Sequence, residues 1–419
     1  MADPRDRLES LLKLKGLTTG SQLRETTKQV VRQREEGAFE VDAVVPGKVI
    51  GDRDDGFYLV RTEFGPDTEH GHLALGEALK TASKHVSLSA CDDELGDFDP
   101  RSAIFIDTET TGLAGGAGTV TFLVGVGYFV GDTFRVDQCF MRDYDDEEPM
   151  LHYLGELFAN ADSVVSYNGK SFDLPLLRTR FITNRIPFRL EGTAHFDLVH
   201  AARRFYKKRL GDCSLGNIER AVLGIDRVGD VDSAEIPRIW LDYLFSRDAR
   251  DLEAVFYHHK TDILSLVTLT ALLSRALDVP KGEGFEHHED RLSLVKLHYR
   301  QKRYNDVLDL GTSLLDSAQD ATIECECLEM LGFTAKRLER WEFMEETWAR
   351  LLAASPNSLV AHAELAKHFE HRKRDLGEAE RICIKALACL ERQAVIPQAY
   401  APDYFHHRLE RIRRKLGRA

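Results

Sequence analysis

From residue 99 to about 280, the order of the apolar runs limits the fold more than any other feature. SAIFID, TVTFLVGVGYFV and TFRVDQCFMRDY read as three β runs in succession, the last two joined at the turn Gly131-Asp132. A helix is expected at about 147–160, then the short buried strand SVVSYN, then a helix through LPLLRTRF. Three adjoining strands followed by an α-β-α return predict a mixed sheet with flanking helices. A basic helix at 197–209 and a long helix near 250–275 complete this domain, assigned to residues 99–280.

Beyond about residue 285 no β signal remains. RYNDVLDLGTSLL, RWEFMEETWARLL and RDLGEAERICIKAL carry Tyr304, Trp341 and Leu376 at matching places, about 37 and 35 residues apart. Residues 285–419 are therefore expected to form an all-α domain of tetratricopeptide-like helical hairpins, and three units is about the minimum for a stable stack. Ser355-Pro356-Asn357 is expected to break the chain and cap the next helix. Residues 1–98 read as a small α+β region. It comprises a helix over 5–36, a β-hairpin of VVPGKVIG and GFYLVRTEF around DRDDG, and a turn-rich end near CDDELGDFDP.

Three acidic segments carry the chemistry. FIDTET puts Asp107 and Glu109 two apart on a strand, so both side chains face one way, about 7 Å apart along the backbone. Two such carboxylates in an apolar run repel one another unless cations neutralise them, although a lone D-x-E is also common among surface acids. In YNGKSFDLPLL, Asp173 follows a strand and opens a helix, where a capping role would also suit it, and Asn168-Gly169 would serve as a strand-end turn. In YHHKTDILSLVTLTALL, Asp262 begins an amphipathic helix; His258, four residues earlier, shares its side if the helix already runs there. Tyr257 is rotated about 100° further round.

A strand D-x-E, an Asp after a strand with an Asn five residues before it, and a late H-x-x-x-D occur in chain order. In this the sequence resembles the DEDD superfamily of 3′–5′ exonucleases, of ribonuclease-H-like fold, and more closely its bacterial YprB-like branch with a tetratricopeptide-like tail. FIDTETTGL, GTVTFLVGVGYF, SYNGKSFDLPLLRTR, HFDLVHAARR and HHKTDILSL carry the resemblance over about 100–275, while PGKVIGDRDDGFYLV and His70-Gly71-His72 match more loosely.

The resemblance implies that Asp107, Glu109, Asp173 and Asp262 hold two Mg²⁺ or Mn²⁺ ions, and that the chain hydrolyses phosphodiester bonds at single-stranded DNA or RNA ends. The family's general base is a His five residues before the last Asp or a Tyr four before it. Here those places hold Tyr257 and His258, so neither pattern is met as written. His258 is assigned as base because helical spacing turns it toward Asp262 and its ordinary pKa suits proton abstraction near neutrality. Asn168 and Lys170 are expected near the scissile phosphate, and Thr110, Thr111 and Gly112 in a loop admitting a terminal nucleotide. Arg203, Arg204, Lys207 and Lys208 are expected on the nucleic-acid backbone, with Asp197 as structural support. A structure-specific endonuclease on the same acids, and a weakly active scaffold whose repeats bind a protein partner, stay open beside the exonuclease.

The net charge of −13 does not exclude a nucleic-acid substrate, because charge distribution governs local sites. From Arg178 to Arg209 nine Arg and Lys stand against only Glu191 and Asp197, a basic stretch suited to a polyanion. The charged start MADPRDRLES, seven scattered cysteines without zinc-ligand spacing, and the lack of an apolar run near 18 residues point to a cytoplasmic location and no membrane span.

Overall fold

The computed structural model describes residues 39–52, 55–112, 118–318, 320–392 and 402–418. The helix expected over 5–36 and the centre of the loop TTGLAGGAG lie outside the described residues. Two compact units are present, one holding the described residues up to 202 with 213–275, the other 203–212 with 276–418.

In the first unit the strands are β1 (Lys48–Asp52), β2 (Asp55–Phe64), β3 (Glu69–His70), β4 (Leu73–Ala74), β5 (Ala103–Thr110), β6 (Thr121–Val130), β7 (Thr133–Phe140), β8 (Ser163–Ser166) and β9 (Ala194–Asp197). Seven of them form one sheet in the order β1-β2-β7-β6-β5-β8-β9, and β3 pairs with β4 apart. β5 is antiparallel to β6 and parallel to β8, so the mixed sheet changes direction at the strand that carries Asp107 and Glu109. Ala103–Ile106 are buried and Asp107–Thr110 half-buried, which opens the polar end of β5 beyond the core.

The expected N-terminal hairpin is not a separate body: β2 runs along β7 from Tyr58↔Phe140 to Phe64↔Phe134 and extends the sheet. Asp137, fully buried and opposite Arg61, explains the attachment. Its carboxylate accepts from Arg61 Nε (2.6 Å) and Nη2 (2.6 Å), Tyr153 (2.6 Å) and Tyr128 (3.0 Å). A buried carboxylate left without such partners would be strongly destabilising.

Leu198–Leu210 begins in this unit and belongs to the second from residue 203, while helices pack on the sheet at Glu147–Phe158, Asp173–Thr183, Ile236–Ser246 and Leu252–Asp278. The last is 27 residues long and starts ten residues before Asp262, so His258 and Asp262 lie within one continuous helix. Its close approach to the sheet depends on two glycines of β6. A Cβ at Gly125 would stand 2.2 Å from Ile263 Cδ1 and 2.5 Å from His259 Cε1, and one at Gly127 would stand 2.7 Å from Ile263 Cγ2. A larger residue at either place forces Ile263, His259 or Phe134 to shift.

The second unit carries the helices His288–Arg300, Tyr304–Ser317, Ala321–Arg337, Trp341–Ala354, Leu359–His368, Leu376–Leu390 and Pro402–Lys415. Tyr304, Trp341 and Leu376 each begin a helix. Two residues before each stands a left-handed residue, Lys302 (φ 59°), Glu339 (φ 57°) and Arg374 (φ 58°), so the sequence period is repeated in the backbone. The apolar seam between helices holds Leu328, Trp348, Leu351, Ala379 and Cys383. The helix cap is supplied by Ser358, whose hydroxyl accepts the Ala361 amide, and not by the preceding Ser-Pro-Asn. Among the described residues no helix is long and apolar enough to cross a membrane.

Candidate metal centre

Strand pleat and helix pitch bring the four acids into mutual range. Asp107 feels the charges of Asp262, Asp173 and Glu109, and burial together with that repulsion pushes its carboxyl well above the usual range. Glu109 is pushed up to about 8, by burial first and then by Asp262, Asp173 and Asp230. Among the described residues neither Asp107 nor Glu109 has a Lys or Arg partner at ion-pair distance. Arg227, paired with Asp262, is one cation against four acids, and such an excess of hard carboxylate oxygens fits divalent cations in its donor chemistry.

Asp173 is the first residue of its helix and does not act as the cap, which is Phe172. Its Oδ1 instead accepts the hydroxyl of Thr108 at 2.5 Å. Burial raises its pKa to about 6, against the lowering effect of the Thr108 bond.

His258, four residues before Asp262, is 8% exposed. Its Nε2 lies 3.5 Å from Asp262 Oδ2, and one ligand atom each from Glu109, His258 and Asp262 can be chosen within 4.8 Å of one another. Tyr257 is 39% exposed. The neighbouring His259 is fully buried and does a different job. Gln138 Nε2 lies 3.1 Å from its Nδ1, so with that amide donating, Nε2 carries the proton and donates to the Asp107 main-chain oxygen at 3.1 Å. Burial depresses its pKa to about 3, which keeps the ring neutral. His259 and Gln138 therefore fix the backbone under the first acid.

A segment after the helical turn at Glu219–Leu223 adds groups that no sequence motif announced. Arg227 donates to Glu219 at 2.5 and 2.7 Å, to Asp230 at 3.2 Å and to Asp262 Oδ1. Asp230 holds His258 Nδ1 at 2.8 Å. Ser265 donates to Glu219 at 2.5 Å and meets His70 Nε2 at 2.9 Å, which extends the chain of contacts to the His70-Gly71-His72 segment. The only sequence sign was the alternation of opposite charges in DRVGD, which lacks periodicity and reads as a solvated loop.

The expected substrate contacts divide. Asn168 adopts a left-handed conformation (φ 70°), and its amide donates to Asp197 Oδ1 at 2.7 Å. The Lys170 amide donates to Asp197 Oδ2 at 3.0 Å and its ammonium lies 3.8 Å from Asp92. Asp197 thus sets the turn that precedes Asp173. Thr110 donates to the Gly112 carbonyl (3.1 Å) and Thr111 accepts the Val120 amide (3.1 Å), so both hydroxyls are occupied in closing the neck of their loop. Arg203, Arg204, Lys207 and Lys208 belong to the second unit, where Lys208 pairs with Glu326 at 2.6 Å and Arg203 and Lys207 are exposed. The basic stretch is not one surface: Arg180 is buried against Glu147 at 2.5 Å, and Arg178 pairs with Glu191.

Residues 104–274 match the sequence profile of the RNase_H superfamily. The chain is also similar to the uncharacterized protein YprB of Bacillus subtilis (strain 168), with 30% identity over 329 residues, covering 76% of each chain. The matched segment contains all four acids, His258, His259 and Arg227.

Proposed function

This chain belongs to the RNase_H superfamily, and from that premise we propose that it is a divalent-metal-dependent nuclease of the DEDD type. The observation that carries the reading is the gathering of acids at one place: Glu109 and Asp262 offer ligand atoms within 4.8 Å of His258 and of one another, and Asp107 and Glu109 are raised by burial and by the charges of Asp262 and Asp173, a state that bound cations would relieve. Asp107, Glu109, Asp173 and Asp262 would hold two Mg²⁺ or Mn²⁺ ions. When bound, such ions supply an activated water and neutralise charge on the attacked phosphate.

The chain's own groups supply position. Thr108 orients Asp173, the His259 ring anchors the Asp107 backbone, and Arg227 fixes one oxygen of Asp262. His258 presents Nε2 to the acids while Asp230 holds its other nitrogen. Phe172 (51% exposed) and Tyr257 directly precede Asp173 and His258 and offer ring faces for stacking unpaired bases. These features support a single-stranded substrate, with Asn168 and Lys170 as phosphate contacts. Arg203 and Lys207 are proposed on the nucleic-acid backbone, and the tetratricopeptide-like hairpins as the surface for a protein partner. Removal of nucleotides from the 3′ end follows the DEDD resemblance.

The test uses end-labelled linear and covalently closed circular single strands, with DNA and RNA compared, in Mg²⁺ or Mn²⁺. Mononucleotide release from 3′ ends with circles left intact is expected, lost in Asp107→Ala at unchanged thermal stability. Cleavage of circles would assign an endonuclease; activity that survives Asp107→Ala or EDTA would sink the metal-nuclease reading.

A further inference from the structure

Resting on that metal reading, we propose that His258 is itself a metal ligand: its Nε2 joins Glu109 and Asp262 in a mixed nitrogen–oxygen site, with Asp230 as the positioning residue behind it. The geometry differs from what the superfamily resemblance implies, where the residue at this place handles the water.

Three observations carry the assignment. The three side chains offer ligand atoms within 4.8 Å of one another, and Nε2 stands 3.5 Å from Asp262 Oδ2, spacings that donors around a single ion adopt. Asp230 lies on the opposite side of the ring, with both oxygens at 2.8 and 3.0 Å from Nδ1. Arg227 Nη1 also stands 3.2 Å from Nδ1, but the two closer carboxylate oxygens assign the proton to Nδ1, which leaves the Nε2 lone pair toward Glu109 and Asp262. Carboxylate–imidazole–metal arrangements of this kind are how proteins orient a ligating histidine and raise its basicity. Finally, Arg227 takes Asp262 Oδ1, leaving Oδ2, the oxygen nearer His258, for an ion.

A carboxylate behind the imidazole would suit a general base as well as a ligand, and the measurement below separates the two roles. Ser233 Oγ, 3.3 Å from Nε2, is a competing neutral partner that an ion would displace.

The two ion positions would then differ in chemistry. Around Asp107 and Asp173 the donors are carboxylate oxygens, which suit Mg²⁺ or Mn²⁺. At His258 the imidazole nitrogen favours Mn²⁺, Co²⁺ or Zn²⁺ over Mg²⁺.

The experiment is pulsed EPR on the full chain loaded with Mn²⁺, read alongside Mn²⁺ titration calorimetry. Wild type is expected to bind two Mn²⁺ and to show modulation from a directly bound ¹⁴N nucleus. That signal should convert to the ¹⁵N pattern when the protein is grown with ¹⁵N-histidine, a control that needs no variant. It should vanish in His258→Ala, which should also lose the tighter binding at one of the two positions. Asp230→Asn, which keeps the imidazole, should weaken that position by about 10- to 100-fold and leave the other unchanged. Two bound Mn²⁺ with no nitrogen coupling, or unchanged affinity in His258→Ala, would overturn the ligand assignment and leave the metal-nuclease reading standing. Absence of any Mn²⁺ binding by the folded wild type would overturn both.

Discussion

Thr108 donates its hydroxyl to Asp173 across 2.5 Å, so the residue between the paired acids of β5 steadies the acid contributed by a helix 65 residues further on. Thr108→Val keeps the shape and removes the donor. Stability should fall by about 1 kcal/mol, and the pH needed to ionise Asp173 should rise above its present value of about 6. Mn²⁺ titrations at pH 6 and pH 8 check this: affinity should drop more at pH 6 than at pH 8.

Gly125→Ala should be far more damaging than its size suggests. The added carbon meets Ile263 and His259, and overpacking of this kind costs about 1–3 kcal/mol. Nuclease activity should fall with it, because the same helix carries Asp262. Ile263→Val in the Gly125→Ala background should recover part of the lost melting temperature, a coupling that a double-mutant cycle measures.

The metal-free protein should lose stability as pH rises. Glu109 has a folded-state pKa of about 8, well above the ordinary carboxylate value, and Asp107 is raised in the same direction. Below about pH 4.5 both folded and unfolded chains hold these protons, and no penalty arises. Between about pH 4.5 and 8 the unfolded chain releases them while the folded chain retains them, which favours unfolding. Melting curves in EDTA should therefore decline across that window relative to curves in Mn²⁺, and the gap should be widest near pH 8. A gap independent of pH would contradict the assignment of these acids as ligands.

How much of this was legible in the chain differs from residue to residue. Asp107, Glu109, Asp173 and Asp262 were legible only together, through their chain order and the family resemblance, since each segment alone also reads as a surface acid or a cap. His258 followed from its helical spacing to Asp262. His259 did not, because a histidine that works by donating to a main-chain oxygen reads like any core residue. Arg227 and Asp230 sit in a loop with no period, so their convergence on the long helix depends on tertiary placement alone. The hairpin register of β2 on β7 was equally hidden, since it is fixed by the Arg61–Asp137 pair 76 residues apart.

Asp197→Ala should separate turn geometry from chemistry. It removes the acceptor of the Asn168, Lys170 and Val199 amides and should destabilise the fold by about 1–3 kcal/mol. Asp197→Asn, which retains one acceptor oxygen, should lie between. Thermal melts give the stability term, and cleavage assays below the melting transition show whether the displaced turn also slows hydrolysis.

If the exposed Arg203 and Lys207 touch substrate phosphates, replacing both with Ala should flatten the salt dependence of oligonucleotide binding by about 0.7 in log–log slope per lost contact. Lys208→Ala should change it less, because Glu326 already neutralises that ammonium.

The attachment of β2 to β7 also decides where the protein can be cut. A fragment begun at residue 99, where the texture of the sequence changes, would strip β7 of its neighbour, bare a row of amides and carbonyls, and take the Arg61 guanidinium from the buried Asp137 carboxylate, leaving it the Tyr128 and Tyr153 hydroxyls alone. Such a fragment would offer other chains a template for intermolecular pairing. An autonomous folded core must therefore carry the hairpin with it.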